Sequence, residues 1–212
     1  MKLVLHSLLG KLSLAIGFIL LSSSAYAQVT YTDTVCAGAQ DVVYGVSGAV
    51  STSTYTWFLS NGGGTIDNSV SANNSTIEID WGTTLGTYTL NVFETSADGC
   101  IGDTVSLDII MMPLPTVAIV ADSVCEGFTA SLTFDLTGTA PWTIDYTDGT
   151  NNWTVTATST PWTVTLPAYT TSQTITVTGL SDANNCGADP AGLPSTNVTI
   201  FPKPNTGAIF HY

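Results

Sequence analysis

The chain has 212 residues, of which 44% are apolar and only 9% charged, and its formal net charge is −13. An acidic surface with almost no cations repels phosphate backbones and anionic lipid headgroups, which disfavours binding to nucleic acid or to a membrane surface. The apolar fraction is too high for a disordered chain and sufficient for packed cores.

Residues 1–27 read as a cleaved signal peptide. Lys2 and Lys11 supply a positive start, Leu12 to Leu21 an apolar run, and Ala25-Tyr26-Ala27 a small-x-small cleavage site before Gln28. The apolar run falls short of the roughly 20 residues that span a bilayer, so no transmembrane segment is expected in the mature chain. Cleavage leaves one lysine (Lys203), one histidine (His211) and no arginine. The remaining length suits two domains.

After residue 28 the pattern is β throughout. Ile77, Ile79 and Trp81 alternate with Thr76, Glu78 and Asp80, and Tyr88, Leu90 and Val92 alternate with Thr87, Thr89 and Asn91. Further on, Leu132, Phe134 and Leu136 alternate with Ser131, Thr133 and Asp135, and Ile175 and Val177 with Thr174, Thr176 and Thr178. Threonine is β-branched and polar, which suits the solvent face of a sheet. Asn61-Gly62-Gly63-Gly64, Asp98-Gly99, Asp148-Gly149 and Asn151-Asn152 supply turns. Short strands at this spacing predict an all-β chain of two tandem immunoglobulin-like β-sandwiches.

An internal repeat fixes the division. Asp33-Thr34-Val35-Cys36-Ala37-Gly38 is echoed by Asp122-Ser123-Val124-Cys125-Glu126-Gly127, and Ser96-Ala97-Asp98-Gly99-Cys100 by Ser181-Asp182-Ala183-Asn184-Asn185-Cys186. Each repeat runs into a proline pair, Pro113-Leu114-Pro115 and Pro202-Lys203-Pro204. The expected domains are 28–113 and 117–202, joined by a stiff linker at 114–116 and followed by a tail at 203–212. Four cysteines, two per repeat at matched places in an exported chain, predict two disulfides. Of the three possible pairings, repeat symmetry selects Cys36–Cys100 and Cys125–Cys186. Each would close a loop of roughly 60 residues, about 4 kcal/mol on the chain-entropy account.

Tyr55-Thr56-Trp57-Phe58 with its glycine turn, Gly86-Thr87-Tyr88-Thr89-Leu90-Asn91-Val92 and Asp98-Gly99-Cys100 resemble the PKD-like, immunoglobulin-like repeats of Bacteroidota surface proteins. The stretch from Thr137 to Gly149 and that from Ser181 to Gly187 resemble the companion repeat of the same proteins. The resemblance implies a Gram-negative source, a periplasmic or cell-surface location, and association with gliding-motility adhesins and type 9 secretion. No third, sorting-type β-domain follows the second repeat in this sequence. The resemblance therefore implies an accessory subunit whose partner is a large surface adhesin or secretion component in the cell envelope.

Catalysis is not expected. General acid–base and nucleophilic chemistry mostly draws on His, Lys, free Cys or tuned carboxylates, and the only mature histidine is the penultimate residue. No cofactor is expected. Calcium is the one candidate metal, through Asp145 and Asp148 in one turn and Asp182 in another, although Asp and Asn build turns without metal. Thr34, Thr104 and Ser123 each follow an aspartate and precede a valine, the short pattern associated with O-glycosylation in Bacteroidota; recurrence at strand starts also suits folding alone. The tail offers Ile209, Phe210 and Tyr212 as anchors for a protein partner, by strand addition or by filling a groove. The alternative function is an independent surface or secreted carbohydrate-binding or ligand-binding module using exposed aromatics such as Trp153 or Trp162.

Overall fold

Alternation of apolar and threonine-rich positions produces strands that are half buried, and half-buried strands must face one another in layers. The computed structural model describes residues 31–211; the signal peptide at 1–27 and the anchor Tyr212 lie outside the described residues. In the first half the strands are β1 (Tyr31–Cys36), β2 (Val42–Gly45), β3 (Thr54–Leu59), β4 (Gly64–Asp67), β5 (Thr76–Trp81), β6 (Thr87–Thr95) and β7 (Val105–Met112). The second half contains β8 (Val117–Ala121), β9 (Val124–Cys125), β10 (Thr129–Leu136), β11 (Trp142–Thr147), β12 (Asn152–Ala157), β13 (Trp162–Ala168), β14 (Gln173–Ser181), β15 (Ser195–Val198) and β16 (Ile200–Phe201). A single 3-10 turn, Pro190–Gly192, interrupts the strands among the described residues.

The first half pairs a four-stranded sheet, β1-β7-β6-β3, with a three-stranded sheet, β2-β5-β4. Their inner faces meet in one core of Val35, Tyr44, Ile77, Ile79, Trp81, Tyr88, Leu90, Ile109 and Met111. Trp81 is 2% exposed and lies between Tyr44 and Tyr88, with ring centroids 6.3 and 6.0 Å away. Gly63 permits this packing. Its φ is +90°, and a Cβ there would run into the Tyr88 ring.

The second half repeats the plan. Sheet β13-β10-β8 faces sheet β12-β11-β14-β15, and Leu132, Phe134, Ile144, Leu166, Ile175, Val177 and Val198 fill the space between. The expected alternation holds on β5, β6, β10 and β14, where the apolar set points into these cores. Asn91 is the exception on β6. It is buried, and its amide is satisfied by Ser60 Oγ at 2.7 Å and by Ser106 Oγ, which donates to Oδ1 at 2.8 Å. A buried polar side chain with these partners costs little.

Both halves also carry a parallel strand contact at the point where the chain leaves them. β1 runs parallel to β7 with Cys36 opposite Met112, and β9 runs parallel to β16 with Cys125 opposite Phe201.

Truncating the Trp81 side chain removes the filling of the first core and leaves a cavity between Tyr44 and Tyr88. Trp81→Ala is expected to lower unfolding free energy by about 3–5 kcal/mol in a urea titration. A loss no larger than that of a surface substitution would contradict this packing.

Candidate functional site

The four cysteines lie at the junction of the two halves and at the ends remote from it. At the junction, β1 stops at Cys36, whose neighbour Ala37 donates its N–H to the Met112 carbonyl at 2.9 Å. The chain then leaves through Pro113 to Thr116. Pro115 is buried, packed beside Gly138, and Thr116 exchanges backbone and side-chain hydrogen bonds with Thr137. Pro115 and Thr116 are therefore docked onto the second half.

Next to it lies the turn at 182–186. Asp182 is 6% exposed and accepts from the N–H groups of Thr139 (3.1 Å), Asn184 (2.9 Å) and Cys186 (3.2 Å). A carboxylate accepting several backbone N–H groups is a strong organiser of a turn. It holds Cys186, fully buried, against the end of β1.

The disulfide joins Cys36 to Cys186, with Cα atoms 5.5 Å apart. Cys100 and Cys125 are free and exposed. This corrects the pairing expected from repeat symmetry, Cys36–Cys100 and Cys125–Cys186. The reason is the length of a strand. Cys36 lies beside Met112 at the end of β7, whereas Cys100 lies in the turn before β7 begins. An eight-residue strand is about 23 Å long, well beyond the roughly 7 Å that a disulfide spans between Cα atoms. The same holds between Cys125, beside Phe201, and Cys186, at the far end of the nine-residue β14. Within one repeat the two cysteines occupy opposite ends; across the junction they meet.

The other candidates are spread over the surface. Asp145 Oδ1 accepts from Thr154 at 2.5 Å, while Asp148 accepts from the N–H groups of Thr150 (2.9 Å) and Asn151 (2.7 Å) and from the Tyr169 hydroxyl (3.1 Å). Asp182 belongs to the junction turn instead. Each of the three carboxylates is engaged by its own turn or neighbouring strand, and no group of three or more His, Cys, Asp or Glu able to hold a metal occurs among the described residues. Thr34, Thr104 and Ser123 are all exposed. Trp153 and Trp162 are not the exposed platforms expected of a carbohydrate binder. Both are half-buried against the second core, and Trp153 stacks on Tyr146 with centroids 5.3 Å apart.

The tail from Pro202 to His211 has no secondary structure and is exposed along its length. Ile209 is 100% exposed and Phe210 73%. Sequence reasoning missed an apolar groove of about 510 Å³ at one end of the first sandwich. It is lined by Tyr31, Tyr44, Trp57, Val92, Val105 and Leu107, and Trp57 Nε1 is fixed by the Asn74 carbonyl at 2.7 Å. Residues on five different strands form it, so no local motif announces it.

Comparison with known proteins gives structural likeness only. No family model and no curated protein matches the chain. Among solved structures, it is similar to the fibronectin(III)-like modules of CbhA from Clostridium thermocellum, at 14% identity over 88% of this chain and 98% of that one, TM-score 0.43. It is also similar to extracellular domains 3–5 of Drosophila OTK, at 16% identity over 82% of this chain and 60% of that one, TM-score 0.37. A third is the Yersinia pseudotuberculosis adhesin InvE, at 17% identity over 71% of this chain and 49% of that one, TM-score 0.29. The chain spans about half the length of that adhesin structure.

Two variants test this account of the turns. Asp182→Ala leaves buried N–H groups without an acceptor and is expected to cost about 1–3 kcal/mol in urea unfolding. Burial and the Asp148 carboxylate push the Tyr169 hydroxyl from an ordinary 10.0 up to about 12. Its raised value makes a contribution to stability that is complete below pH 10 and disappears as pH rises through about 12. Burial would raise Asp148, but the Asn151 and Thr150 amides outweigh it and hold the carboxyl below its ordinary value. That contribution is present above the ordinary carboxylate range and is lost as pH falls through the lowered value. Tyr169→Phe is therefore expected to flatten the alkaline side of the stability profile and leave the acid side, measured by urea unfolding at each pH, with its descent.

Proposed function

We propose that the chain is a non-catalytic, exported interaction protein, an accessory subunit of a surface adhesin, gliding-motility or type 9 secretion assembly, and that it engages its partner through the tail. The domain division at 28–113 and 117–202 belongs to the same reading. The observation that carries it is the exposed segment beyond β16, with Ile209 and Phe210 on its surface. An exposed apolar segment outside the sheets suits addition to a partner's sheet edge or insertion into a groove. The Cys36–Cys186 bond supports an oxidising compartment outside the cytoplasm. The envelope assembly itself rests on the sequence resemblance, and with it the location in the periplasm or at the surface of a Gram-negative cell.

The test compares the mature chain with one ending at Pro204, and with Phe210→Asp, as baits against native cell envelopes. A single partner held by the full chain and lost with both variants is expected. Equal capture by all three would move the interface onto the sandwich faces and sink the tail reading.

A second reading, a free-standing ligand-binding module, is favoured by the groove lined by Tyr31, Tyr44 and Trp57. It calls for binding of a small apolar or glycan ligand that falls at least tenfold on Trp57→Ala, with the tail irrelevant.

A further inference from the structure

The two free cysteines are copies, in local geometry, of the two that are bonded. Around Cys125, Phe128 N–H donates to the Cys125 carbonyl at 3.1 Å, Glu126 N–H to the Phe201 carbonyl at 2.9 Å, and Gly127 has φ +83°. Around Cys36, Ala39 N–H donates to the Cys36 carbonyl at 3.1 Å, Ala37 N–H to the Met112 carbonyl at 2.9 Å, and Gly38 has φ +76°. The match is equally close for the other pair. Ser96 N–H donates to the Cys100 carbonyl and Asp182 N–H to the Cys186 carbonyl; the preceding residues, Gly99 and Asn185, have φ +82° and +59°. Cys100 N–H reaches Ser96 Oγ at 3.1 Å where Cys186 N–H reaches Asp182 Oδ1 at 3.2 Å. Bridges Thr95 to Ile101 and Ser181 to Gly187 complete the correspondence.

The bonded pair therefore defines a rule for neighbouring repeats: the leading cysteine of one joins the trailing cysteine of the next. Within the chain this rule uses Cys36 and Cys186. Applied once more, it leaves Cys125 needing the trailing cysteine of a following repeat, and Cys100 the leading cysteine of a preceding one. Cys100 precedes β7, at the end remote from the junction, and Cys125 lies beside Phe201, remote from it in the second half, so each is a strand's length from the joint that the bonded pair occupies. Exposed apolar side chains lie beside each, Ile101 (72%) next to Cys100 and Phe128 (62%) and Phe201 (53%) near Cys125. At the closed junction the matching Cys186 is fully buried and Cys36 half-buried, so an equivalent joint would cover these exposed ends.

We propose that copies of this chain link head to tail through a disulfide from Cys125 of one copy to Cys100 of the next. Such a contact is heterologous, so repetition gives an open chain rather than a closed dimer. The oxidant is a disulfide compound. The Cys125 thiolate attacks one sulfur of it, releasing a first thiol and forming a mixed disulfide. The Cys100 thiolate of the second copy then displaces the remaining thiol. Two protein thiols become one disulfide, and one small disulfide becomes two thiols, so electrons and protons balance. This proposal stands on the cysteines and is independent of what the tail binds.

The experiment uses the mature full-length chain, freed of low-molecular-weight thiol, at sub-millimolar concentration and physiological salt, which screens the repulsion between acidic copies. Oxidised glutathione is the probe oxidant, and products are read on non-reducing gels and by peptic peptide mapping. A ladder of oligomers that collapses on reduction is expected from the native sequence. Cys100→Ser alone and Cys125→Ser alone should each remain monomeric, whereas their mixture should give a dimer whose bridging peptides contain Cys125 and Cys100. The map must show Cys36 bonded to Cys186 in every sample, which verifies folding. Monomers with two glutathione adducts, bridges between like cysteines only, or a Cys100–Cys125 bond within one chain would each overturn the proposal.

Discussion

The bond from Cys36 to Cys186 determines how the rest of the molecule is arranged. It spans 150 residues of sequence and fastens the end of β1, and through it the end of β7, to the turn that follows β14. On the chain-entropy account, closing so long a loop is worth about 5 kcal/mol against the unfolded chain. Its structural effect is more specific. The peptide link through Pro113 to Thr116 and the disulfide at the end of β1 are two neighbouring connections between the halves, and the Asp182 carboxylate organises the turn that carries Cys186. A single flexible linker would leave two sandwiches free to swing; two adjacent connections do not.

Around that junction each half follows the same economy of polar and apolar groups. Inner faces carry Ile, Leu, Val and aromatic side chains, with Trp81 and Phe134 the largest of the fully buried ones. Outer faces carry threonine, which keeps β geometry while facing water and allows solubility with few charges. Some aspartates are turn builders. Asp148 and Asp182 each accept several N–H groups, whereas Asp80, Asp108, Asp135 and Asp145 lie on strands.

Much of this was legible in the residues. Period-two alternation at 76–81, 87–92, 131–136 and 174–178 identified the strands and the faces they bury, because burial on one side is what alternation means. The repeated Asp-x-Val-Cys-x-Gly and the later cysteine turns were also legible, and they do adopt matching backbone conformations. The disulfide pairing was not. Repeat symmetry says which cysteines are alike but not which are near, and nearness here depends on whether both lie at the same end of a strand. Cys36 opposite Met112 and Cys100 before Val105 lie at opposite ends of β7, a fact of register that spacing alone does not contain. Trp153 and Trp162 failed for a related reason. Each lies on a strand whose alternation is diluted by threonine, and stacking on Tyr146 across β11 and β12 turns Trp153 toward the core. The groove around Trp57 draws on β2 of one sheet and β1, β3, β6 and β7 of the other, whose proximity only the folded sandwich creates.

The central claim is that leading and trailing cysteines pair across repeats, and disulfide mapping of the mature, unreduced chain tests it most directly. Peptic digestion with mass spectrometry, together with a count of accessible thiols in the native protein, is sufficient. Expected is one cross-linked peptide pair containing Cys36 and Cys186, with Cys100 and Cys125 both reacting as free thiols in a freshly prepared monomer. A chain without free thiols, whose maps show Cys36 bonded to Cys100 and Cys125 to Cys186, would contradict the account and with it the rule that links one copy to the next.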